Sequence, residues 1–307
     1  MVHLIISRMW HAPTMSMRTA TQKAAADMNA AIIAGVIMPE MDIKTTRLPL
    51  SSAHNTRDLG GFMTKDGKRV RANCLLRSGE LYRLSEQDSA LLLSHHLKTV
   101  IDFRTEAERR EKPDTVIPNV RYLTLPILEE KTLGITREKS AGGVIASFFE
   151  ALEQRGQSAE QYMVQMYRSI ACDKFARSQY RRFFAYLLEQ EEGAVLWHCS
   201  AGKDRAGVGA ALVLTALGVP RDAVISDYLM TGVFLADDID RLLKGLPDSI
   251  CRGRKAEEAR ALFCVKDNYI NAVLEELEAG QGMDAFLENE MGLTPEKRER
   301  LKARYLE

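Results

Sequence analysis

Short apolar runs alternate with amphipathic helical stretches along the chain from Leu48 onward, a pattern typical of an α/β domain. The run Ala194–His198, Ala-Val-Leu-Trp-His, is apolar on both faces, as expected of a central parallel strand. A helical segment that Ser85 can cap precedes the run 99–103. The pattern therefore predicts four strands, over residues 73–76, 99–103, 121–125 and 194–198.

A long insertion, residues 127–171, separates the third predicted strand from the fourth. Its stretch 129–143 is polar, and amphipathic helices are predicted over 144–152 and 159–170. An excursion of this length is usually functional or an added subdomain. After the fourth strand the pattern predicts helices over 207–217, 222–230, 236–243, 266–278 and 295–305. These elements favour a central, mainly parallel sheet of four or five strands flanked by helices.

Residues 1–46 form an N-terminal extension, for which the pattern favours a helix over 21–37. Its apolar stretch, 30–38, is about half the roughly 18–20 residues that a membrane span needs. We therefore predict no stable membrane insertion and a cytoplasmic protein. A cleaved targeting segment, and hence secretion, is the alternative. No linker divides residues 47–307, so we predict one domain there.

Charge and cysteine content exclude several classes of function. Lys plus Arg and Asp plus Glu both total 42, so no global basic field for nucleic acid exists and we predict no nucleic-acid partner. The chain has 5 cysteines without a Cys-x-x-Cys pair, which argues against a disulfide framework and against a zinc site. We predict no metal and no cofactor, and the composition specifies no oligomeric state.

The segment from His198 to Gly207 contains the candidate catalytic residues. Cys199 and Arg205 are separated by five residues, between a predicted buried strand and a helix. Such a loop can turn its backbone N–H groups inward as an anion-binding nest, and the following helix adds the positive end of its dipole. Gly202 lets the backbone turn tightly. A thiolate could then attack a bound phosphate while the planar guanidinium holds two of its oxygens.

Two other glycine-rich motifs do not fit this segment. A Walker loop would need Gly at position 197 and Ser or Thr at 204, where Trp197 and Asp204 stand. A dinucleotide fingerprint beginning at Gly207 would need a third small residue where Leu212 stands. The segment is therefore a candidate phosphate loop built on cysteine.

The segment His-Cys-Ser-Ala-Gly-Lys-Asp-Arg-Ala-Gly resembles the phosphate loop of the atypical bacterial tyrosine phosphatases, a group that often also hydrolyses phosphoinositides. Three further segments are similar to motifs of that family: Asn-Thr-Arg-Asp-Leu-Gly-Gly from Asn55, Arg-Ser-Gly from Arg77, and Ile-Asp-Phe-Arg-x-x-x-Glu from Ile101. The resemblance runs from about Leu48 to the end. It implies a tyrosine-phosphatase-like fold and a phosphatase domain over 47–307, with the insertion 127–171 as a helical lid.

The resemblance also implies roles for individual residues. Cys199 would be the nucleophile, Arg205 the phosphate clamp, and Asp204 the donor of a proton to the leaving oxygen. Asp204 could alternatively only pair with Lys203 or Arg57. Asp102 is the second candidate acid, although an Asp there is as often a helix cap. The loop residues expected to bind substrate are Ser200, Ala201, Gly202, Lys203, Ala206 and Gly207.

Other residues are expected to support the loop. Asn55, Arg57 and Asp58 would form a brace behind it, with a plain turn as the alternative. His198 is expected to orient the region around Cys199 rather than act as a base. In the insertion, four residues with helical spacing are expected in the core or on the underside of the lid: Tyr162, Met163, Met166 and Tyr167.

One position departs from the family pattern. Ala206 stands where the family usually has Thr or Ser, whose hydroxyl normally assists departure of the thiolate. Its absence suggests slow turnover. Lys203 is the extra cation of the family's loop, suited to a second phosphate on a lipid headgroup.

The implied activity is hydrolysis of phosphomonoesters through a phosphocysteine, without a cofactor. The substrate would be a phosphotyrosine protein, with phosphoserine, phosphothreonine and phosphoinositides as further candidates. A non-catalytic or very slow phosphate-binding module and an arsenate-reductase-like enzyme are the alternatives.

Overall fold

The computed structural model describes residues 47–129, 141–246, 250 and 253–307. Five strands in it form one sheet of order β1-β2-β5-β3-β4, in which β1 runs antiparallel to β2 and the other neighbours are parallel. The expected mainly parallel α/β fold is confirmed. The strands are β1 Arg57–Asp58, β2 Leu75–Ser78, β3 Leu97–Asp102, β4 Arg121–Thr124 and β5 Ala194–His198.

The register of the sheet aligns the carboxyl ends of three strands. His198, the last residue of β5, pairs with Ser78 at the end of β2 and with Asp102 at the end of β3. The chain segments that follow these strands therefore leave the sheet at the same edge. Parallel α/β sheets place their sites at this edge.

Twelve helices are found in the described residues. Ser85 accepts a hydrogen bond from the Asp88 N–H, so it caps α1 as predicted. The helices are α1 Glu86–Ser94, α2 Glu106–Glu111, α3 Ala141–Gln154, α4 Ala159–Cys172, α5 Lys174–Glu189, α6 Arg205–Leu217, α7 Arg221–Phe234, α8 Ala236–Lys244, α9 Gly253–Phe263, α10 Asp267–Glu278, α11 Met283–Asn289 and α12 Pro295–Tyr305.

The two faces of the sheet are covered unequally. Val195 and Trp197 of β5 point into the main core, while Leu196 points into a smaller cluster that includes Leu92 of α1. Helix α6 lies in the main core and is buried along almost its whole length. A buried, mostly apolar helix and a fully buried strand thus support the segment between them at both ends.

The sequence pattern missed four helices and one strand. Helices α2, α5, α9 and α11 were not predicted, although α5 buries Tyr180, Phe183, Phe184 and Leu187 at helical spacing, so its signal was present. Strand β1 has only two residues, too few for a period of two to show. The helix expected over 21–37 lies outside the described residues.

The strand predicted at 73–76 instead spans Leu75–Ser78. Asn73 has a φ of 58°, which places it in a left-handed turn before the strand. Its N–H donates to Asp58 Oδ2 at 2.6 Å, so it does not pair within the sheet.

The insertion carries α3 and α4, close to the predicted bounds. Met163 and Tyr167 are buried and Tyr162 and Met166 are half-buried, so these residues lie mainly in the core. Helix α4 packs against α9 and α10. The role of the insertion as a lid stays a prediction. Within the residues described, no helix combines the length and apolar character that crossing a bilayer requires.

Candidate active site

The loop from Cys199 to Asp204 joins β5 to α6 and lies at the carboxyl edge of the sheet. Cys199 is only 2% exposed, and the rest of the loop is buried with it. The loop touches the segment after β2, because the Glu80 N–H donates to Ser200 O at 3.0 Å. The candidate nucleophile therefore sits between a central strand and the first turn of a buried helix.

Two side chains hold the loop by its carbonyl groups. Asn55 Nδ2 donates to the carbonyl oxygens of Ala201 at 3.1 Å and Gly202 at 3.0 Å. Arg77 Nη2 donates to the Gly202 oxygen at 2.7 Å. These peptides are trans, so each following N–H points away from the braced side. Fixing the carbonyl groups thus presents the N–H groups of Gly202 and Lys203 on the other side of the loop, as an anion nest requires.

Gly202 is required by space as well as by backbone angle. Its φ is 66°, and a Cβ there would lie 2.4 Å from the Ser78 carbonyl oxygen. Backbone at that distance cannot move aside without disturbing β2. Any other residue would therefore displace the loop.

Asp227 of α7 holds two arginines behind the loop, Arg57 and Arg77. Its Oδ1 accepts from Arg57 Nε at 2.8 Å and its Oδ2 from Arg77 Nη1 at 2.5 Å. Arg57 Nη1 also donates to Asn55 Oδ1. Burial alone would raise the pKa of Asp227, but the two guanidinium charges outweigh it and hold the pKa below its ordinary value.

The structure therefore brings Asn55 and Arg57 together behind the loop, and adds Arg77 and Asp227 to them. Asp58 lies outside this group. Its carboxylate accepts from the N–H groups of Gly60 at 2.9 Å and Asn73 at 2.6 Å, which is the turn role considered as the alternative. No role was assigned to Asp227 from the sequence, although an acidic residue on an apolar helix face was a usable signal.

Glu108 of α2 fixes the guanidinium of Arg205. Its two carboxylate oxygens accept from Arg205 Nη1 at 2.7 Å and Nη2 at 2.8 Å. Ser200 Oγ donates to the same carboxylate at 2.6 Å. This forked pair leaves Arg205 Nε without an acceptor among the described residues, although the atom is buried. An N–H group in that state is available to a phosphate oxygen.

Glu108 is ionised over the working range of pH. Burial disfavours its charged form, but the charge of Arg205 and the hydrogen bonds from Arg205 and Ser200 outweigh this and hold the pKa of Glu108 well below its ordinary value. Glu108 also closes the capping box of α2 with Thr105. The sequence placed Glu108 in a motif but gave it no role.

Asp204 stands directly before α6 and is held by the insertion. Tyr167 OH of α4 donates to Asp204 Oδ1 at 2.5 Å, and Tyr228 OH lies 2.6 Å from the Tyr167 oxygen. Lys203 Nζ lies 3.5 Å from the same Asp204 oxygen. Of the pairings considered for Asp204, the one with Lys203 is present, whereas Arg57 is engaged by Asp227 and Asn55.

Lys203 points to the end of α9. Its ammonium donates to the carbonyl oxygens of Leu262 at 2.8 Å and Phe263 at 3.4 Å. A cation at the C-terminus of a helix is electrostatically favourable. The side chain is 1% exposed, so its charge is met inside the protein.

Asp102 is held by Arg104 rather than directed at the loop. Arg104 Nε donates to Asp102 Oδ1 at 3.0 Å and Nη2 to Oδ2 at 2.8 Å, and the Arg104 N–H also donates to Oδ1 at 2.8 Å. The cap of α2 is Thr105, not Asp102. The predicted second acid is thus part of a buried ion pair.

His198 lies in the same network. Its Nε2 is 2.9 Å from Asp114 Oδ2. Burial alone would lower the pKa of His198, but the negative charge of Asp114 outweighs it, so the pKa is raised. Asp102, Asp114 and His198 are close enough to hold a metal. Arg104 Nη2, however, lies 2.8 Å from both carboxylates, so a cation already occupies that position.

Ala206 and Gly207 lie in the first turn of α6. Ala206 is fully buried, and its carbonyl oxygen accepts from Trp197 Nε1 at 3.1 Å. A Cβ on Gly207 would lie 3.0 Å from Arg77 Nη2 and 3.1 Å from the ring of Tyr228. Gly207 therefore permits Arg77 and Tyr228 to approach α6 closely.

The sequence matches the tyrosine phosphatase family over residues 48–307. The chain belongs to this family. A Cupriavidus necator protein provisionally named a tyrosine-protein phosphatase is 28% identical over 237 residues, which cover 76% of this chain and 80% of that protein. The triple specificity protein phosphatase of Mycobacterium tuberculosis is 30% identical over 191 residues, 59% of this chain and 67% of that protein.

A solved structure of the P. aeruginosa protein TpbA in complex with pTyr is 18% identical. It covers 63% of this chain and 87% of its own, with a TM-score of 0.26.

Glu108→Gln should lower the free energy of unfolding by about 3–5 kcal/mol, because it leaves the buried charge of Arg205 without its partner. Urea denaturation of the variant measures this. Glu106→Gln is the matched control, since Glu106 pairs with Arg110 at the exposed surface of the same helix and its loss should change stability by only about 0–1 kcal/mol. Equal stability of the two variants would contradict the assigned role of Glu108.

Proposed function

We propose that this member of the tyrosine phosphatase family hydrolyses phosphomonoesters through a phosphocysteine on Cys199, with phosphotyrosine in proteins as its main substrate. The arrangement around the loop carries the proposal. Asn55 and Arg77 hold the loop carbonyl groups, which turns N–H groups toward an anion, while Glu108 fixes Arg205 with Nε left for a phosphate oxygen.

The reaction would proceed in two displacements. The Cys199 thiolate attacks phosphorus, the bond from phosphorus to the ester oxygen breaks, and Asp204 gives its proton to that oxygen. A water molecule then attacks the phosphocysteine, Asp204 takes up one of its protons, and the thiolate and inorganic phosphate are released. The loop N–H groups and Arg205 stabilise the charge on the transferring oxygens in both steps.

The choice of Asp204 as the acid rests on its position and on the bonds of its rival. Asp204 directly precedes the phosphate clamp Arg205. Asp102 has both of its oxygens held by Arg104 in a buried ion pair, so its carboxylate is already engaged by that arginine.

Phosphotyrosine is favoured over phosphoinositides because of where Lys203 lies. A second phosphate on a lipid headgroup would need a nearby cation. The Lys203 ammonium is instead bound to the terminal carbonyl groups of α9, so such a substrate would have to displace these contacts. Phosphoserine and phosphothreonine stay secondary candidates.

A phosphate-binding protein with little or no turnover is the second candidate function. Ala206 favours it, because this position carries no hydroxyl to stabilise the departing thiolate. The loop could then form the phosphocysteine faster than it hydrolyses it.

Cys199→Ser should retain binding of phosphate or vanadate while activity on p-nitrophenyl phosphate falls by about 10³ or more. The loop N–H groups and Arg205 hold the anion, whereas only the sulfur attacks. Isothermal titration with vanadate and a steady-state assay measure the two properties. Activity of the variant near that of the wild type would refute the phosphocysteine mechanism, and an inactive wild type would favour the binding module.

Asp204→Asn should lower kcat by about 10²–10⁴ for phenyl phosphate, a poor leaving group, and much less for p-nitrophenyl phosphate. A general acid matters less as the leaving group becomes more acidic. Asp102→Asn serves as the comparison at the rival position. Equal losses for the two substrates in Asp204→Asn would remove the acid role from Asp204.

Ala206→Ser should raise steady-state turnover and shrink the burst of released phenol that we expect from the wild type. The substitution adds a single oxygen, placed to stabilise the thiolate as the phosphocysteine breaks down. Rapid-quench measurements on p-nitrophenyl phosphate report both quantities. A wild type without a burst, together with unchanged turnover in the variant, would show that formation of the intermediate is limiting.

A further inference from the structure

Tyr167 links the inserted helix α4 to the loop by a hydrogen bond. Its hydroxyl donates to Asp204 Oδ1 at 2.5 Å, and the side chain is fully buried. A hydroxyl has one hydrogen, so Tyr228, whose oxygen lies 2.6 Å away, must donate to the oxygen of Tyr167. The result is a directed chain from Tyr228 through Tyr167 to the carboxylate.

Packing leaves Tyr167 little freedom to move. Its ring meets that of Tyr228 edge-on at 5.9 Å and lies at 5.7 Å from that of Tyr269. Helix α4 itself packs against α9 and α10. The hydroxyl is therefore fixed in space by elements that lie outside the phosphate loop.

We propose that Tyr167 is a positioning residue for Asp204: its hydroxyl fixes the carboxyl group that donates the proton to the leaving oxygen. The inference rests on the proposed function, in which Asp204 is the acid. It makes α4 of the insertion part of the catalytic unit rather than only a cover or a scaffold.

The tyrosines around Asp204 do not ionise in the pH range of an ordinary assay. Burial raises the pKa values of Tyr167, Tyr180 and Tyr228 well above their ordinary range, and burial also raises that of Tyr269, so all four stay neutral in ordinary assays. Among the groups that face Asp204 are the cations Lys203 and Arg205 and these four tyrosines.

The direction of the effect follows from which form the hydroxyl stabilises. A donated hydrogen bond favours the ionised carboxylate, so removing it lets Asp204 keep its proton to higher pH. A general acid works in its protonated form, and activity is lost as pH rises through its pKa. Without the hydroxyl, the fall of kcat at high pH should therefore occur at higher pH.

Tyr167→Phe tests this, because it removes the hydroxyl and keeps the buried ring. We expect the high-pH fall of kcat to move up by about one pH unit, the size of one hydrogen bond to a charged group. At the pH optimum, kcat for phenyl phosphate should fall about tenfold, since the carboxyl group is no longer oriented. The value for p-nitrophenyl phosphate should change little.

Tyr305→Phe is the matched control. Tyr305 is also fully buried, and its hydroxyl donates to Leu187 O at 2.8 Å, remote in the fold from the loop. Its removal should leave both the pH profile and the dependence on leaving group unchanged. Tyr228→Phe should move the profile in the same direction as Tyr167→Phe but by less, because it acts one bond further away.

The Asp204→Asn background separates the acid role of Asp204 from the positioning role of Tyr167. If Asp204→Asn shows the loss specific to phenyl phosphate, adding Tyr167→Phe should cause no further loss. If Tyr167→Phe alone leaves the pH profile and the dependence on leaving group unchanged while Asp204→Asn affects phenyl phosphate selectively, the positioning role is overturned and the proposed function stands. Equal losses for both substrates in Asp204→Asn overturn the acid role, and the positioning role with it.

Discussion

The loop depends above all on the hydrogen bonds that hold its carbonyl groups on one side. A loop that binds an anion through its N–H groups must keep several backbone dipoles aligned, although aligned dipoles repel one another and water would otherwise compete for the carbonyl oxygens. Asn55 and Arg77 donate hydrogen bonds to these carbonyl oxygens inside the protein. They are positioned in turn by Asp227, so a carboxylate on α7 determines the shape of a loop that follows β5.

The need for fixed side-chain positions also explains why several buried ion pairs surround the loop. Asp227, Glu108 and Asp102 each face one or two arginines at hydrogen-bond distance, and each arginine is almost fully buried. Such pairs are not an economical way to stabilise a protein, because desolvation offsets much of their attraction. They are directional, however, and planar guanidinium groups fix two oxygens at once. The site gains defined geometry from them rather than stability.

The strands, the helices and the loop were predicted from the sequence with unequal success. The four longer strands and most of the long helices followed from apolar periodicity, because burial on one face or on both leaves a regular trace. The loop between a buried strand and a helix followed from residue types at fixed spacing. The two-residue strand β1 is too short to show such a periodicity. Helix α5 has a buried face at helical spacing, but it was not predicted.

The partners within the site were harder to predict than the loop. Asp227 lies 28 residues after Cys199, and Tyr167 and Glu108 lie 32 and 91 residues before it. Only the fold brings these side chains together. Asp58 and Asp102 show the converse: both occur in motifs next to residues of the site, yet their carboxylates are used in a turn and in an ion pair. Spacing along the chain predicts a loop, but it does not predict which distant side chain completes it.

Glu108 belongs to two structures at once, the capping box of α2 and the fork that holds Arg205. The start of a short helix and the guanidinium of Arg205 therefore share one carboxylate. Thermodynamic linkage makes such sharing reciprocal: an anion that binds only the clamped form of Arg205 must also protect α2 against local unfolding, by the same free energy. Occupancy of the loop would then be readable in the slowed amide hydrogen exchange of a helix that contributes no backbone to it.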